Sequence, residues 1–120
     1  MIIKIEAIIR EEKLEDVLDA LAELDVHGIT LYQVMGCGTQ RGMKSYAYVR
    51  GHQQVEIQML PKIKLEILVS SEEWEQKTIE TIQKAAFTGS IGDGKIFSYD
   101  VRTAMRIRTC ETGYDAIQPE

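Results

Sequence analysis

Hydrophobic and polar positions alternate at the start of the chain and recur at helical spacing soon after. In 2–10, apolar residues occupy every second position and charged residues fall between them, which predicts a half-buried strand. In 13–24, leucine and valine recur at three- and four-residue steps, which predicts a helix. A strand over 29–35 follows, so this part of the chain predicts a βαβ unit.

The same order returns in the second half of the chain. The sequence SSEE is a capping box, with Ser70 as the predicted N-cap and Glu73 three residues further on. The predicted elements of this half are a strand over 63–69, a helix that begins after Ser70 and stops at Thr88-Gly89, a strand over 95–101 and a short strand over 104–108.

Two consecutive βαβ units predict the α+β class and the ferredoxin-like fold, with the order βαββαβ. In that fold, an antiparallel sheet carries both helices on one face. The other face also has apolar positions, at Ile8, Tyr32, Val34 and Leu68. Because such a face needs cover, we expect a homo-oligomer whose sheets face inward.

Between these units, 36–58 has several glycines, many polar groups and no sustained period. A segment of this length without regular structure is unusual inside a compact domain and indicates a functional loop. Its cationic and aromatic residues, among them Tyr46, Tyr48 and Arg50, suit the binding of a partner protein. The alternative is a loop that is merely solvated.

Composition narrows the function classes. The chain has 120 residues, 28% of them charged, and a net charge of −5, which favours one globular domain and argues against a nucleic-acid-binding protein. No apolar run could span a bilayer, and acidic residues interrupt the N-terminal apolar stretch, so we expect a cytoplasmic protein. Two cysteines and two histidines do not complete a zinc site at usual spacings.

The stretch TGSIGDGKIF has the spacing of a phosphate-binding loop, G-x-x-x-x-G-K, but Ile96 stands where Ser or Thr is required. The order of elements is also inverted, because here a helix precedes the loop and a strand follows it. Glycines that turn backbone amides toward an anion, together with Lys95, still suit phosphate. The alternative is a glycine-rich connection without a ligand.

Arg106 and Arg108 form the third cluster of interest. On the predicted strand 104–108 both side chains fall on one face, where two guanidinium groups repel unless an anion lies between them. Alone, this pattern also fits two surface arginines that discourage edge pairing. Together with Lys95 and the glycine-rich loop, it favours a polyphosphate ligand.

With these features taken together, the chain resembles the PII nitrogen-regulatory signal-transduction proteins over essentially its whole length. The segments that carry the resemblance are KIEAIIR, VMGCGTQRG, MLPKIKLEI, TGSIGDGKIF and RIRTCETGYDAI. The resemblance implies a homotrimer that binds ATP or ADP in clefts between subunits and senses 2-oxoglutarate through Mg²⁺-ATP. It also implies a single domain with a T-loop at about 37–58, a B-loop at about 87–95 and a C-terminal loop at about 107–120.

The resemblance assigns ligand contacts residue by residue. Expected at ATP or ADP are Ile8, Thr30, Gly38, Gln40, Glu66, Leu68, Gly92, Asp93, Gly94, Lys95, Arg106 and Arg108, the two arginines reaching over from a neighbouring subunit. Expected at 2-oxoglutarate are Gln40, Arg41, Gly42 and Lys62. Gln40 is also expected to contact Mg²⁺, which separates the charges of the triphosphate and the dicarboxylate.

The resemblance further implies a regulator rather than an enzyme. The partner it favours is an ammonium transporter of the Amt family, with Arg50 as the plug residue and Tyr46 and Tyr48 beside it; glutamine synthetase and a transcription regulator are alternatives. Recruitment to a transporter would bring the protein to the membrane without insertion. Two other functions stay open, a slow ATPase and a PII-like sensor of another small ligand.

Three positions depart from the family pattern. Thr39 stands where many members have Arg or Lys, and Ser90 replaces a common Lys in the B-loop. Cys110 stands where the C-terminal motif usually has Gly. The T-loop also lacks the tyrosine that enterobacterial members carry after Arg-Gly, so uridylylation of the usual kind is not expected.

Overall fold

The computed structural model describes the backbone of residues 1–38, 46–50 and 53–120, and the side chains of 1–37 and 59–120. Two α-helices and five strands make up the regular structure of this part. In chain order they are β1 (Ile3–Arg10), α1 (Leu14–Glu23), β2 (Thr30–Gly38), β3 (Tyr46–Arg50), β4 (Gln53–Val69), α2 (Glu72–Ala86) and β5 (Lys95–Asp100). Short 3-10 turns at Glu11–Lys13 and Gly113–Ile117 complete the order.

The sheet is antiparallel, with the order β2-β4-β1-β5, and β3 pairs with the first part of β4. β1 therefore lies between β4 and β5, with Ile5 opposite Ile67 on one side and Ser98 on the other. With both helices packed on the sheet, this is the ferredoxin-like fold that the two βαβ units predict.

The core forms between the helices and one face of β1 and β4. Alternate residues of both strands are buried there, and the buried face of each helix supplies the rest. The largest fully buried side chains are Ile5, Ile9, Leu21, Leu65, Ile67, Ile82 and Val17. The opposite face of the sheet is open in the single chain, where Tyr32 is 43% exposed and Leu68 37% exposed. The expectation of an uncovered second face is confirmed.

The start of α2 differs from the prediction by one residue. The N-cap is Ser71 rather than Ser70, because the extended Ser71 directs its hydroxyl to the backbone N–H of Trp74 at 3.2 Å. The side chain of an N-cap accepts a hydrogen bond from the amide three residues ahead. Which of two adjacent serines is the N-cap depends on the backbone conformation, and the sequence pattern does not give that conformation. The helix ends at Ala86 because Phe87 is extended.

The expectation of an irregular segment over 36–58 is wrong for the residues of this range that the structure describes, 36–38, 46–50 and 53–58. β2 continues to Gly38, where it pairs with Gln58, and β4 begins already at Gln53. β3 pairs with that early part of β4, from Tyr46 opposite Ile57 to Arg50 opposite Gln53. Backbone pairing between strands gives these segments their hydrogen bonds. The alternation of Val55, Ile57 and Met59 with polar residues is a short strand signal that the surrounding glycines and polar residues obscure.

The short strand predicted over 104–108 is also absent. Met105 makes one isolated bridge to Thr112, and the chain then turns tightly: the N–H of Arg106 donates to Glu111 O and the N–H of Cys110 to Arg106 O. Cys110 closes this turn with a φ of 62°. This left-handed conformation is less strained for glycine than for any residue with a side chain.

Among the described glycines, Gly94 has the least room for a side chain, at the point where the chain enters β5. A Cβ there would lie 1.8 Å from the carbonyl oxygen of Ile8, and its φ is +100°. Gly28 has a similarly positive φ of +72°, but nothing lies within 4 Å of a Cβ at that residue. A comparison of these two glycines therefore separates the cost of a steric clash from the cost of a positive φ.

We expect Gly94→Ala to lower the free energy of unfolding by more than about 3 kcal/mol, because β1 and β5 must separate to admit the methyl group. Gly28→Ala, the matched control, should cost about 1 kcal/mol through its left-handed conformation alone. Denaturant unfolding at one fixed protein concentration measures both. Equal losses for the two variants would contradict the close approach.

Candidate functional site

The loop between α2 and β5 is organised by the carboxylate of Asp93. Its Oδ2 accepts from the backbone N–H of Thr88 at 2.8 Å and of Gly89 at 2.9 Å. Its Oδ1 accepts from the Thr88 hydroxyl and from Arg10 Nε, the latter at 3.0 Å. Arg10 Nη2 also donates to the Ile91 carbonyl at 2.9 Å, so the guanidinium at the end of β1 holds the loop at two points.

These bonds keep Asp93 ionised. The pKa of its carboxyl is held well below the usual value, first by the Thr88 hydroxyl, then by the Thr88 and Gly89 amides and by Arg10. Both oxygens face the loop's own donors. Asp93 therefore shapes the loop, and we assign it no direct bond to a phosphate, which carries the same sign of charge.

Lys62 lies against the same loop. Its side chain comes from β4, the residue is only 8% exposed, and Nζ donates to the Gly92 carbonyl. Burial lowers the pKa of this amine, and the nearby charge of Arg10 lowers it further. Among the described side chains, no carboxylate lies within ion-pair distance of Nζ.

The register makes this cluster unusual, because Arg10 and Lys62 stand directly opposite each other on β1 and β4. Like charges at such positions are destabilising unless compensated. Asp93 compensates Arg10 closely, whereas Glu12 reaches it only at 4.0 Å with a side chain 70% exposed. Lys95 adds another exposed cation at the end of the loop. The cluster is therefore an incompletely neutralised cationic site, suited to an anion.

The remaining ATP-assigned residues of the sheet lie elsewhere. Thr30 and Glu66 are paired across β2 and β4, and with Leu68 they line a cleft of about 430 Å³. Ile8 lines a different cleft of about 360 Å³, together with Asp93, Gly94, Lys95 and neighbours on α2. Within one chain, the assigned residues thus form two groups that do not share a cavity.

The carboxylate of Glu66 belongs to a charged network on the open sheet face. Lys4 Nζ lies 2.9 Å from it, and the Tyr32 hydroxyl donates to it at 3.2 Å. The hydrogen bond to Glu66 is the main cause that raises the pKa of Lys4.

The second carboxylate of this network is Glu6, which stands opposite Glu66 in the register. The Tyr99 hydroxyl donates to it at 2.6 Å, and Lys64 lies 3.5 Å away. This hydrogen bond lowers the pKa of Glu6 and raises that of Tyr99. Two carboxylates and the amines of Lys4 and Lys64 therefore balance each other inside the chain.

Arg106 and Arg108 lie in the turn after β5 rather than side by side on a strand. Arg106 Nη1 donates to Glu111 Oε1 at 2.9 Å, and its Nη2 donates to the Gln118 carbonyl. Arg108 Nε donates to Glu120 Oε1 at 2.8 Å. Both guanidinium groups face carboxylates of the segment that follows them.

The other assigned residues lie at the edge of the described part or beyond it. Gly38 ends β2 and is described as backbone only. Gln40, Arg41 and Gly42 lie outside the described residues. For the partner-binding residues Tyr46, Tyr48 and Arg50, only the backbone of β3 is described.

Sequence reasoning missed Arg10 and Thr88, the two donors that fix Asp93, and Lys4 and Tyr99 of the open-face network. The one available signal for Arg10 was its parity, because the alternation of β1 puts it on the same face as Lys4. Its partner 83 residues away could not be read from that pattern.

The fold and the loop define a class of small α+β proteins with a cationic cluster beside a glycine-rich turn, and comparison with known proteins identifies the family. The family model described as Nitrogen regulatory protein P-II matches residues 2–111. The chain is 52% identical to Nitrogen regulatory protein P-II 1 of Methanothermobacter thermautotrophicus, covering 95% of this chain and 96% of that protein. It is 46% identical to the P-II protein of Pasteurella multocida, covering 95% and 98%.

Solved structures agree with this relationship. The GlnK structure from B. subtilis matches with a TM-score of 0.77 at 34% identity, covering 96% of this chain and 97% of that one. The structure of Arabidopsis thaliana PII bound to citrate matches with a TM-score of 0.74 at 33% identity, covering 96% and 91%. The chain belongs to the P-II family of nitrogen regulatory proteins.

A search of the described residues for membrane spans found no helix with the length and apolar character to cross a bilayer.

We expect Asp93→Asn to lower the unfolding midpoint at pH 7, because a neutral amide pairs less well with Arg10 and the loop amides. The folded-state pKa lies below the ordinary value of 3.8, so this contribution is complete above that value and is lost as pH falls through the lower one. The gap between wild type and variant should therefore shrink below about pH 4. Thermal unfolding of both proteins between pH 7 and pH 3 measures it. A gap that stays constant over this range would rule out the ionised carboxylate as the cause.

Proposed function

We propose that this P-II family protein senses energy, carbon and nitrogen status by binding ATP or ADP and, with Mg²⁺-ATP, 2-oxoglutarate, and that it regulates a partner through its T-loop. The observation that carries the proposal is the cross-strand pair of Arg10 and Lys62 beside the glycine-rich loop. It leaves positive charge next to backbone amides in a partly buried site, and this is the environment that an anionic ligand needs.

The phosphates of ATP or ADP suit the loop from Gly92 to Lys95. Asp93 holds the loop's shape through its own donors, so the backbone is organised before a ligand arrives. Lys95 is exposed and has no ion-pair partner among the described side chains, so its amine is available to a phosphate. Weak hydrolysis is not favoured, because Asp93 and Glu66 both already accept hydrogen bonds or pair with cations.

2-Oxoglutarate suits Lys62. The amine is buried and bonds only a neutral carbonyl among the described groups, so a carboxylate would recover electrostatic energy there. Mg²⁺ held with the help of Gln40 would separate this dicarboxylate from the triphosphate. The citrate in the Arabidopsis structure supports a small carboxylate as a ligand of this family and keeps open a sensor of a related carboxylate.

A homotrimer would bring the separated groups of site residues together. The Ile8 group and the Thr30 group lie in different clefts of one chain, so one nucleotide can contact both only across a subunit boundary. The open sheet face, with exposed Tyr32 and Leu68 beside a balanced charge network, offers the area that such an assembly would bury.

For the partner, we propose an ammonium transporter contacted by Tyr46, Tyr48 and Arg50, with glutamine synthetase or a transcription regulator as alternatives. These residues lie on β3, and its hairpin with β4 extends the sheet beyond its pairing with β2. A ligand at the base of this hairpin can shift it only by binding its conformations with different affinity. Such a protein would act in the cytoplasm and reach the membrane through the transporter.

We expect calorimetric titration to detect Mg²⁺-ATP binding and to show affinity at least about tenfold weaker in Lys95→Ala, the size expected for a lost charge-assisted hydrogen bond. Lys84→Ala on exposed α2 removes the same charge and should bind like wild type. Light scattering of the same samples should give three chains per particle. A monomer that binds ATP would contradict the shared cleft, and unchanged affinity in Lys95→Ala would contradict the loop as phosphate site.

We also expect 2-oxoglutarate to bind with Mg²⁺-ATP but not with ADP, and Lys62→Gln to weaken that binding at least about tenfold while retaining ATP binding. The reason is that Lys62 supplies the buried charge for the ligand's carboxylate. Lys77→Gln, which removes an exposed amine from α2, is the control. If Lys62→Gln bound 2-oxoglutarate as tightly as the wild type, the assignment of Lys62 to this site would be wrong. If 2-oxoglutarate bound when ADP was the only nucleotide present, the proposed role of the triphosphate would be wrong.

A further inference from the structure

One carboxylate of the chain already lies at the arginine pair. Glu120 Oε1 accepts from Arg108 Nε at 2.8 Å and also from Arg108 Nη2, and it lies 3.8 Å from Arg106 Nε. A single oxygen thus contacts both guanidinium groups. This is the position where an anion is needed to offset the repulsion between the two arginines.

Further contacts fix the segment that carries Glu120. The carbonyl of Gln118 accepts from Arg106 Nη2, and Glu111 holds Arg106 from the other side. As a result the Arg106 side chain is only 14% exposed. Four residues of the same segment, Tyr114, Ile117, Gln118 and Pro119, line a cleft of about 340 Å³ together with Trp74. The segment 113–120 therefore covers the arginine pair and also rests near the chain's single tryptophan.

We propose that the segment 113–120 is an internal competitor for nucleotide, with the Glu120 carboxylate in the place that phosphate oxygens take at Arg106 and Arg108. This rests on the proposed ATP and ADP binding. A phosphate group reaches the arginine pair only after Glu120 has left it. Nucleotide binding and docking of the segment are therefore coupled, and by linkage each opposes the other to the same extent.

The geometry sets the size of the effect. Glu120 and Arg108 are 52% and 71% exposed, so water and salt screen their attraction. Exposed ion pairs of this kind change equilibria by roughly two- to fivefold. The competition should tune affinity within that range rather than switch binding off.

The test compares Glu120→Gln with Asp115→Asn in Mg²⁺-ATP titrations at low ionic strength. Both variants lose one negative charge from the same segment, but Asp115 is exposed and makes no ion pair with any described residue. We expect Glu120→Gln to bind Mg²⁺-ATP about two- to fivefold more tightly than Asp115→Asn. The difference should fall as salt is raised, because screening already weakens the internal pair in the wild type.

Fluorescence of Trp74 gives a second readout that does not depend on affinity. In the wild type, saturating Mg²⁺-ATP should change the emission as the segment leaves the shared cleft. Before nucleotide is added, the emission of Glu120→Gln should already be shifted part of the way toward that of the ATP-bound wild type. The emission of Asp115→Asn should match that of the wild type without nucleotide.

The outcomes separate the two proposals. Tighter binding and shifted emission in Glu120→Gln alone support internal competition. Equal affinity of the wild type and both variants, with ATP bound by all, overturns the competition and leaves the proposed function intact. Failure of the wild type to bind Mg²⁺-ATP overturns both. Equal tightening by both variants assigns the effect to general charge and also overturns the competition.

Discussion

The carboxylate of Asp93 is the contact on which the arrangement of the site depends. It joins the end of α2, through the amides of Thr88 and Gly89, to the end of β1, through Arg10, which lies 83 residues away in the sequence. Loss of this carboxylate would remove the partner of Arg10 Nε and of two loop amides, and would leave the bond from Arg10 to the Ile91 carbonyl to hold the loop to β1. The loop backbone is therefore fixed by bonds within the chain itself. A ligand that binds it does not have to order it first, which reduces the entropy cost of binding.

Two like-charged pairs on the same sheet face have opposite consequences. Glu6 and Glu66 are directly opposite each other, but lysines and tyrosines of the same face neutralise both within the chain. Arg10 and Lys62 are also opposite each other, and only Arg10 has a carboxylate close by among the described groups. The first pair can be buried by another subunit without an added ion, since its charge is balanced. The second retains a buried amine without an ion-pair partner among the described side chains, and this difference in compensation is why we propose a carboxylate ligand at the second pair.

The sequence predicted the fold well because its core strands follow period two and its helices carry apolar faces at helical spacing. It failed for β3 and the early part of β4, where only a few residues alternate and where pairing of the backbone between strands defines the structure. It predicted a glycine-rich anion loop from composition and spacing. It did not predict Arg10 as the loop's anchor, because this bond joins residues that only the β1–β5 register brings together.

The environment of the arginine pair could also be predicted only in part from the sequence. Two guanidinium groups close in sequence indicate that an anion is needed, but not which one, and the chain supplies its own in Glu120. An internal carboxylate also changes which external anions can bind. A lone phosphate at the arginines would only replace the contacts that Glu120 already makes there. A polyphosphate that also reaches Lys95 and the loop amides would add contacts that Glu120 does not make. Competition by the chain itself would therefore lower the affinity of each anion that binds the arginines, and an extended anion would offset that loss through its contacts with Lys95 and the loop amides.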